Sequence, residues 1–374
     1  MRVLVIEPHP FYGGGMEAVA LRLSKELQRR GHEIFLVYET DGTMLPAYDA
    51  IVSKKFRMQL PGFPMRRPFT ILALVWRLIK LIKVHRIDRI FSSHLGFIRV
   101  CAVIRILTGT PAFFHLGLPG SAMPFSVSFA LRWMGGGISP APHTLATWTE
   151  KSWPDETLWQ VRNWVDGEEF QPAPNKIELR AGLAMSPDAF VIGFVGRIVR
   201  EKGVEVLVDA FNLVVRKWPE CRLLMGGTFD QDYIDELMKR CDAPEKFRVL
   251  PRTSRPQEVY GAIDVICVPS IWEEPYPLVL LEAMASGLAI TISDVGVLPD
   301  ILGEEAAEWV CAAGDVEDLA QKLEKLANDP VQTRRQGVKM RERALQVYGP
   351  KDPVTQYEAI MLGTAVHEDQ SVGE

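Results

Sequence analysis

Along the first half of the chain, short apolar runs alternate with longer segments in which apolar and charged positions recur at helical spacing. Residues 3–6 form an apolar run of strand length. From 16 to 30, Val19, Leu23 and Leu27 recur every four residues with charges between them, which predicts an amphipathic helix closed by Gly31. Residues 34–38 read as a second strand, so the chain opens β-α-β. Residues 89–93 and 111–115 read as further strands, followed or closed by His94 and His115. The second half repeats the alternation more clearly. Strands are expected at 190–195, 222–225, 247–250, 264–268, 289–293 and 308–310, with helices at 204–218, 233–240, 256–262, 278–286 and 316–327. A charged helix follows from Pro330 to about 348, and a last helix at 353–362.

This order predicts an α/β protein of two Rossmann-like, doubly wound parallel-sheet domains facing a central cleft. The expected boundaries are 1–165 and 166–349, with Asn163-Trp164-Val165-Asp166 as the linker. A helix at about 350–364 is expected to cross back to the first domain, and 365–374 to form a flexible tail.

Charge changes the picture. The net charge of −5 combines +9 over residues 1–165 with −14 over the rest. Residues 53–105 hold 12 Lys or Arg against a single acid, Asp88. Such a stretch suits an anionic membrane surface, or else a solvated helix face. Within it, residues 66–86 place Arg77, Lys80 and Lys83 on one stripe of a wide apolar helix. That pattern fits an interfacial helix as well as a helix packed on a sheet. Phe63, Phe125, Phe129 and Trp133 extend the membrane reading. The stretch contains no nucleic-acid reading module. Five scattered cysteines without a CxxC pair point to a reducing compartment, and the N-terminus has no signal-peptide pattern, so a cytoplasmic protein is expected.

The candidate chemistry centres on residues 269–287. Glu274 lies in a proline-interrupted loop after a buried strand, and Glu282 on the helix that follows. A helix start beyond a strand offers free N–H groups and a positive dipole end to an anion, and a nearby carboxylate can hold sugar hydroxyls. A phosphorylated sugar is therefore the expected ligand. Arg197 and Lys202 sit at another strand-to-helix junction, as a diphosphate site or as a solvated charge pair. Gly13-Gly14-Gly15 precede the first helix, where backbone could approach a phosphate, although the pattern is not GxGxxG. His115 precedes a Gly-rich loop and is expected to face the cleft; His94 reads as a core histidine.

These motifs together resemble the retaining glycosyltransferases of family four, with the GT-B fold. The resemblance rests on Gly196-Arg197…Lys202-Gly203, Asp264…Pro269-Ser270, and Glu274-x7-Glu282-Ala283-Met284-Ala285-x-Gly287, in that order. Gly14-Gly15-Met16-Glu17 and Asn163-x-Val165-Asp166 match more loosely. The resemblance implies transfer of a sugar from a UDP- or GDP-linked donor to a hydroxyl of a cell-envelope, polysaccharide or lipid-linked glycan. Arg197 and Lys202 would bind the diphosphate, Glu282 the ribose and Glu274 the sugar. The N–H groups of Gly14, Gly15, Leu278 and Val279 would complete the donor site, and His115 would lie near the sugar. No metal or other cofactor is implied. Localisation at the inner face of the cell membrane would follow from the basic first half. Pro277 stands where the family usually has glycine, removing an N–H near the sugar. A sugar-nucleotide epimerase and a catalytically weak partner subunit are the alternatives.

Overall fold

The computed structural model describes residues 1–11, 14–60, 68–124 and 127–366, apart from the side chains of 68–70, 122 and 305. Gly13, Phe63, Phe125, residues 66–67 of the basic segment and the tail from 367 on lie outside the described residues. Two compact units are present: Met1–Asn163 with the segment from Pro350 on, and Trp164–Gly349.

Unit 1 contains strands β1 (Arg2–Ile6), β2 (Glu33–Tyr38), β3 (Val52–Arg57), β4 (Arg89–Ser92), β5 (Ala112–His115), β6 (Gly136–Ser139) and β7 (Leu158–Gln160). Its helices are α1 (Gly15–Arg29), α2 (Leu45–Asp49), α3 (Pro68–His85), α4 (Ile98–Thr108), α5 (Ser128–Leu131) and α6 (Pro142–Glu150). The seven strands are all parallel, in the order β3-β2-β1-β4-β5-β6-β7. Parallel strands covered on both faces read as unbroken apolar runs, and Val3, Leu4, Val5 and Ile6 are all buried. At the sheet edge the signal fades: β3 alternates poorly because its central residues are exposed. The basic helix packs on the sheet, with Leu74, Leu78, Leu81 and Ile82 in the core, while Leu72 and Trp76 remain exposed.

Unit 2 runs α7 (Lys176–Gly182), β8 (Phe190–Val195), α8 (Val204–Lys217), β9 (Cys221–Gly227), α9 (Gln231–Arg240), β10 (Phe247–Pro251), α10 (Pro256–Ala262), β11 (Val265–Val268), α11 (Leu278–Ala285), β12 (Ala289–Ser293), α12 (Leu298–Leu302), β13 (Val310–Cys311), α13 (Val316–Asn328) and α14 (Pro330–Val347). Its six parallel strands lie in the order β10-β9-β8-β11-β12-β13. Both sheets therefore reverse direction beside their first strand, which is the doubly wound pattern.

The last helix, α15 (Lys351–Leu362), belongs to unit 1 and packs on α1. Arg30 donates to Glu358 at 2.8 Å, and His32 Nε2 lies 2.6 Å from the other carboxylate oxygen. Tyr357 reaches the His115 ring, and the Arg89 guanidinium donates to the Met361 carbonyl. The Arg30 hydrogen bond, aided by His32 and opposed by partial burial, holds the Glu358 carboxyl below its ordinary 4.5. A depressed carboxylate contributes stability above its unfolded pKa and loses it as pH falls through the folded value. Glu358→Gln is expected to lower stability by about 1 kcal/mol at neutral pH, as for a partly exposed ion pair. Urea unfolding of both proteins should show that difference vanish well below pH 4.5.

Candidate active site

Unit 2 places its charged residues where its strand order reverses. β8 and β11 are neighbours, and the chain continues from them to opposite flanks of the sheet, to β9 on one side and β12 on the other. After β8 come Gly196 and Arg197, then a single 3-10 turn, Arg200–Lys202, and Gly203 ahead of α8. Gly203 has φ +66°, and a Cβ there would stand 1.8 Å from the Pro269 carbonyl oxygen. No side chain fits, so the turn rests directly on the loop that follows β11. The Ile271 N–H donates to the Glu201 carbonyl at 3.1 Å and ties the two loops together.

This contact sets Lys202 against Glu274. The Lys202 ammonium lies 2.5 and 2.7 Å from the two carboxylate oxygens, and the Ser270 hydroxyl donates to the same carboxylate at 2.5 Å. The lysine side chain is 16% exposed and the glutamate 3%. Removing one partner of such a pair leaves an uncompensated buried charge, at a cost of about 3–5 kcal/mol. The lysine also stands 5.2 Å above the Trp272 ring, whose buried Nε1 has no hydrogen-bond partner among the described residues. A Cβ on Gly296 would stand 2.8 Å from the Glu274 N, so a third loop, after β12, closes on the Glu274 backbone. The Ser293 hydroxyl donates to the Ser270 carbonyl at 2.6 Å and fixes the loop from that side.

Pro277 caps α11 with extended backbone and gives no side-chain hydrogen bond to the first-turn N–H groups. Those of Leu278 and Val279 are free for an anion by helix geometry. Tyr276, just before, is held at φ +152°, a costly conformation for a residue with a side chain. Glu282 lies one turn further along α11, where its carboxylate accepts from the Tyr260 hydroxyl at 2.8 Å. Arg197 is half exposed, 3.5 Å from Glu201. Lys202 and Glu274 are thus in direct contact, whereas Arg197 and Glu282 each have a different carboxylate or hydroxyl partner. Among the described residues no group of three or more His, Cys, Asp or Glu is placed to hold a metal.

In unit 1, Gly14 caps α1 with extended backbone, and Gly15 begins the helix. Glu17 turns back under Gly14, its Oε2 buried and without a hydrogen-bond partner among the described residues. His115 ends β5, yet its ring is 2% exposed rather than open to solvent. Its Nδ1 lies 2.9 Å from the Tyr357 hydroxyl, and burial pushes its pKa down to about 4, so it is neutral at physiological pH.

Sequence reasoning missed a second charged pair. Glu7 follows β1 and His94 follows β4, the two strands that flank the reversal in unit 1. Glu7 is fully buried, and its Oε1 lies 2.5 Å from His94 Nε2. Ser93 reaches the other oxygen at 3.4 Å. Burial raises the Glu7 carboxyl against the opposing pull of His94. Burial would lower the His94 imidazole, but the hydrogen bond and charge of Glu7, with Glu17 nearby, hold it above 6.5. His94 is therefore the partly exposed partner of a buried carboxylate and not an ordinary core residue. Its position after a strand carried the signal, but only the strand order makes that position special.

A raised imidazole binds its proton more tightly in the folded state. Its contribution is complete below the unfolded value of 6.5 and is lost as pH rises through the folded one. Urea midpoints measured across this range should fall toward high pH, with the slope flattened in His94→Gln. An unaltered slope in the variant would assign the titration elsewhere.

The chain matches the family model of Glycosyl transferases group 1 over residues 175–345 and that of Glycosyltransferase Family 4 over residues 13–136. An uncharacterized glycosyltransferase of Methanocaldococcus jannaschii is 29% identical over 164 residues, 42% of this chain and 42% of that protein. The match thus spans under half of that relative. The sulfoquinovosyl transferase of Arabidopsis thaliana is 28% identical over 350 residues, 87% of this chain and 66% of that one. Anabaena HepE, solved in complex with UDP-glucose, superposes with a TM-score of 0.82 at 17% identity, covering 97% of this chain and 100% of that one. The fold is that of the GT-B enzymes.

Proposed function

Because the chain belongs to the group 1, family 4 glycosyltransferases, we propose that it moves a sugar from a nucleoside-diphosphate donor to an acceptor hydroxyl with retention of anomeric configuration. The observation that carries the residue assignment is Lys202. It is a nearly buried cation at the strand-order reversal, beside the free N–H groups at the start of α11. A diphosphate entering there meets the lysine, those N–H groups and the half-exposed guanidinium of Arg197. All three stabilise the negative charge that gathers on the leaving nucleotide.

In the reaction, the bond from the anomeric carbon to the diphosphate oxygen breaks and a bond to the acceptor oxygen forms on the same face. The acceptor proton leaves with the nucleoside diphosphate. Glu274 has two roles in this reading. It keeps Lys202 in place before the donor arrives, and its carboxylate then receives sugar hydroxyls. Glu282 holds the ribose, with Tyr260 fixing its orientation. Gly14 and Gly15 contribute backbone N–H groups, and His115 contributes a neutral imidazole near the sugar. No metal is required, since the cations and the helix start supply the positive charge.

UDP-sugars are the first donors to test, because Anabaena HepE has been solved with UDP-glucose. The acceptor is a saccharide of the cell envelope, a polysaccharide or a lipid-linked glycan, met at the cytoplasmic side of a membrane. The basic stretch 53–105 supports that setting. Purified protein is incubated with UDP- and GDP-sugars and scored for nucleotide release. Lys202→Ala should lose about a hundredfold or more in kcat/KM, the scale seen when a charge-stabilising donor is removed. Glu282→Ala should mainly raise the donor KM. Melting curves establish that both variants are folded, and undiminished turnover in both would overturn the site assignment.

A further inference from the structure

Unit 1 carries an apolar surface that its own core does not use. α3, α4 and α5 lie side by side on one face of the seven-stranded sheet, and their inner residues join a single core cluster. Their outer positions are apolar as well. Leu72 and Trp76 on α3 are 66% and 64% exposed, and Ile106 and Leu107 on α4 are 55% and 59% exposed. Phe129 and Trp133, on and just after α5, are 67% and 39% exposed. A helix on a water-facing surface turns charged and polar residues outward. Here three neighbouring helices depart from that rule together, and an apolar patch of this kind calls for an occupant.

The charge on these helices identifies it. Across α3, α4, α5 and the residue after α5 there are six cations, Arg77, Lys80, Lys83, Arg99, Arg105 and Arg132, and no Asp or Glu. Two of the cations stand over exposed rings. The Lys80 ammonium is 5.6 Å from the Trp76 ring centre, and the Arg132 guanidinium 5.1 Å from that of Phe129. Each pair presents a flat apolar body and a positive tip side by side, the arrangement suited to the boundary between acyl chains and phosphate head groups.

We propose that the α3–α4–α5 face of unit 1 is a docking surface for an anionic lipid bilayer. The rings and aliphatic ends enter the head-group boundary, and the cations meet lipid phosphates. The association is peripheral, since no described helix is long and apolar enough to cross a membrane. A second copy of the chain fits poorly, because a two-fold contact would set cation against cation. Nucleic acid would use the cations and leave the aromatic residues unexplained. The inference extends the reading of a membrane-presented acceptor and rests on that reading for its purpose, but the docking is measurable without turnover.

The test is co-sedimentation of the full chain with vesicles of phosphatidylcholine alone, or of phosphatidylcholine with about a third phosphatidylglycerol, at low and high salt. Binding is expected on the anionic vesicles at low salt and should weaken at high salt. The double variants Trp76→Ser/Ile106→Ser and Lys80→Glu/Lys83→Glu should each reduce it by about tenfold or more. All four positions lie outside the donor site, so the shift in melting temperature produced by UDP should match that of the parent chain. Equal binding to neutral vesicles, no binding at low salt, or parental binding in both variants overturns the proposal. So does a concentration-dependent dimer that Trp76→Ser abolishes, which would assign the face to a second copy. An intact UDP shift alongside failed docking would leave the transferase reading standing.

Discussion

Two loops can touch through their backbones only where a side chain is missing from the line of contact. In unit 2 that condition is met at Gly203, against the Pro269 carbonyl, and at Gly296, against the Glu274 backbone. These approaches draw the segments after β8, β11 and β12 into one mass at the carboxyl ends of the strands. The placement of Lys202 on Glu274, the support from Ser270 and Ser293, and the orientation of the α11 start all follow from it. Any side chain at position 203 would push the loops apart, and the ion pair would lose the geometry that offsets its desolvation.

The same topology is used twice with opposite chemistry. At the reversal in unit 1 the deepest group is an acid, Glu7, answered by His94. At the reversal in unit 2 the group closest to solvent in the central pair is a cation, Lys202, answered by Glu274. This runs against the net charge of each half, which is positive for residues 1–165 and negative for the remainder. In unit 1 the α3 cations Arg77, Lys80 and Lys83 and the β3 cations Lys54 and Lys55 are all exposed. Net charge therefore describes the exposed positions, and the two strand-order reversals follow local rules.

The parts of the fold legible in the sequence are those with strong local signals. Buried parallel strands such as β1 and β8 are continuous apolar runs, and α1 and α8 show their inward faces at helical spacing. The edge strand β3, with Lys54 and Lys55 exposed, and the short strand β6, which begins with two glycines, have no such signal and went unread. The site divides in the same way. Arg197, Lys202, Glu274 and Glu282 were visible as types of residue at suggestive junctions. Their partners were not, because Lys202 and Glu274 are 72 positions apart, Glu7 and His94 are 87 apart, and His115 and Tyr357 are 242 apart. Local spacing holds no information at those separations. The outward aromatic residues of α3 and α5 were visible as a compositional oddity, and the helix neighbours turned them into a surface.

The return of α15 to unit 1 also imposes an order on biosynthesis. Unit 2 is one unbroken stretch, Trp164–Gly349, and all of it is made before α15. Unit 1 is still incomplete at that point, since Tyr357 and Glu358 emerge nearly two hundred residues after Asn163. At about 5–20 residues per second, that leaves roughly ten to forty seconds in which the first-made unit waits for its last helix. During that interval the surface that α15 will cover, from Arg30 and His32 to His115, is open to the nascent chain's surroundings. The first unit to be translated is thus the last to be finished.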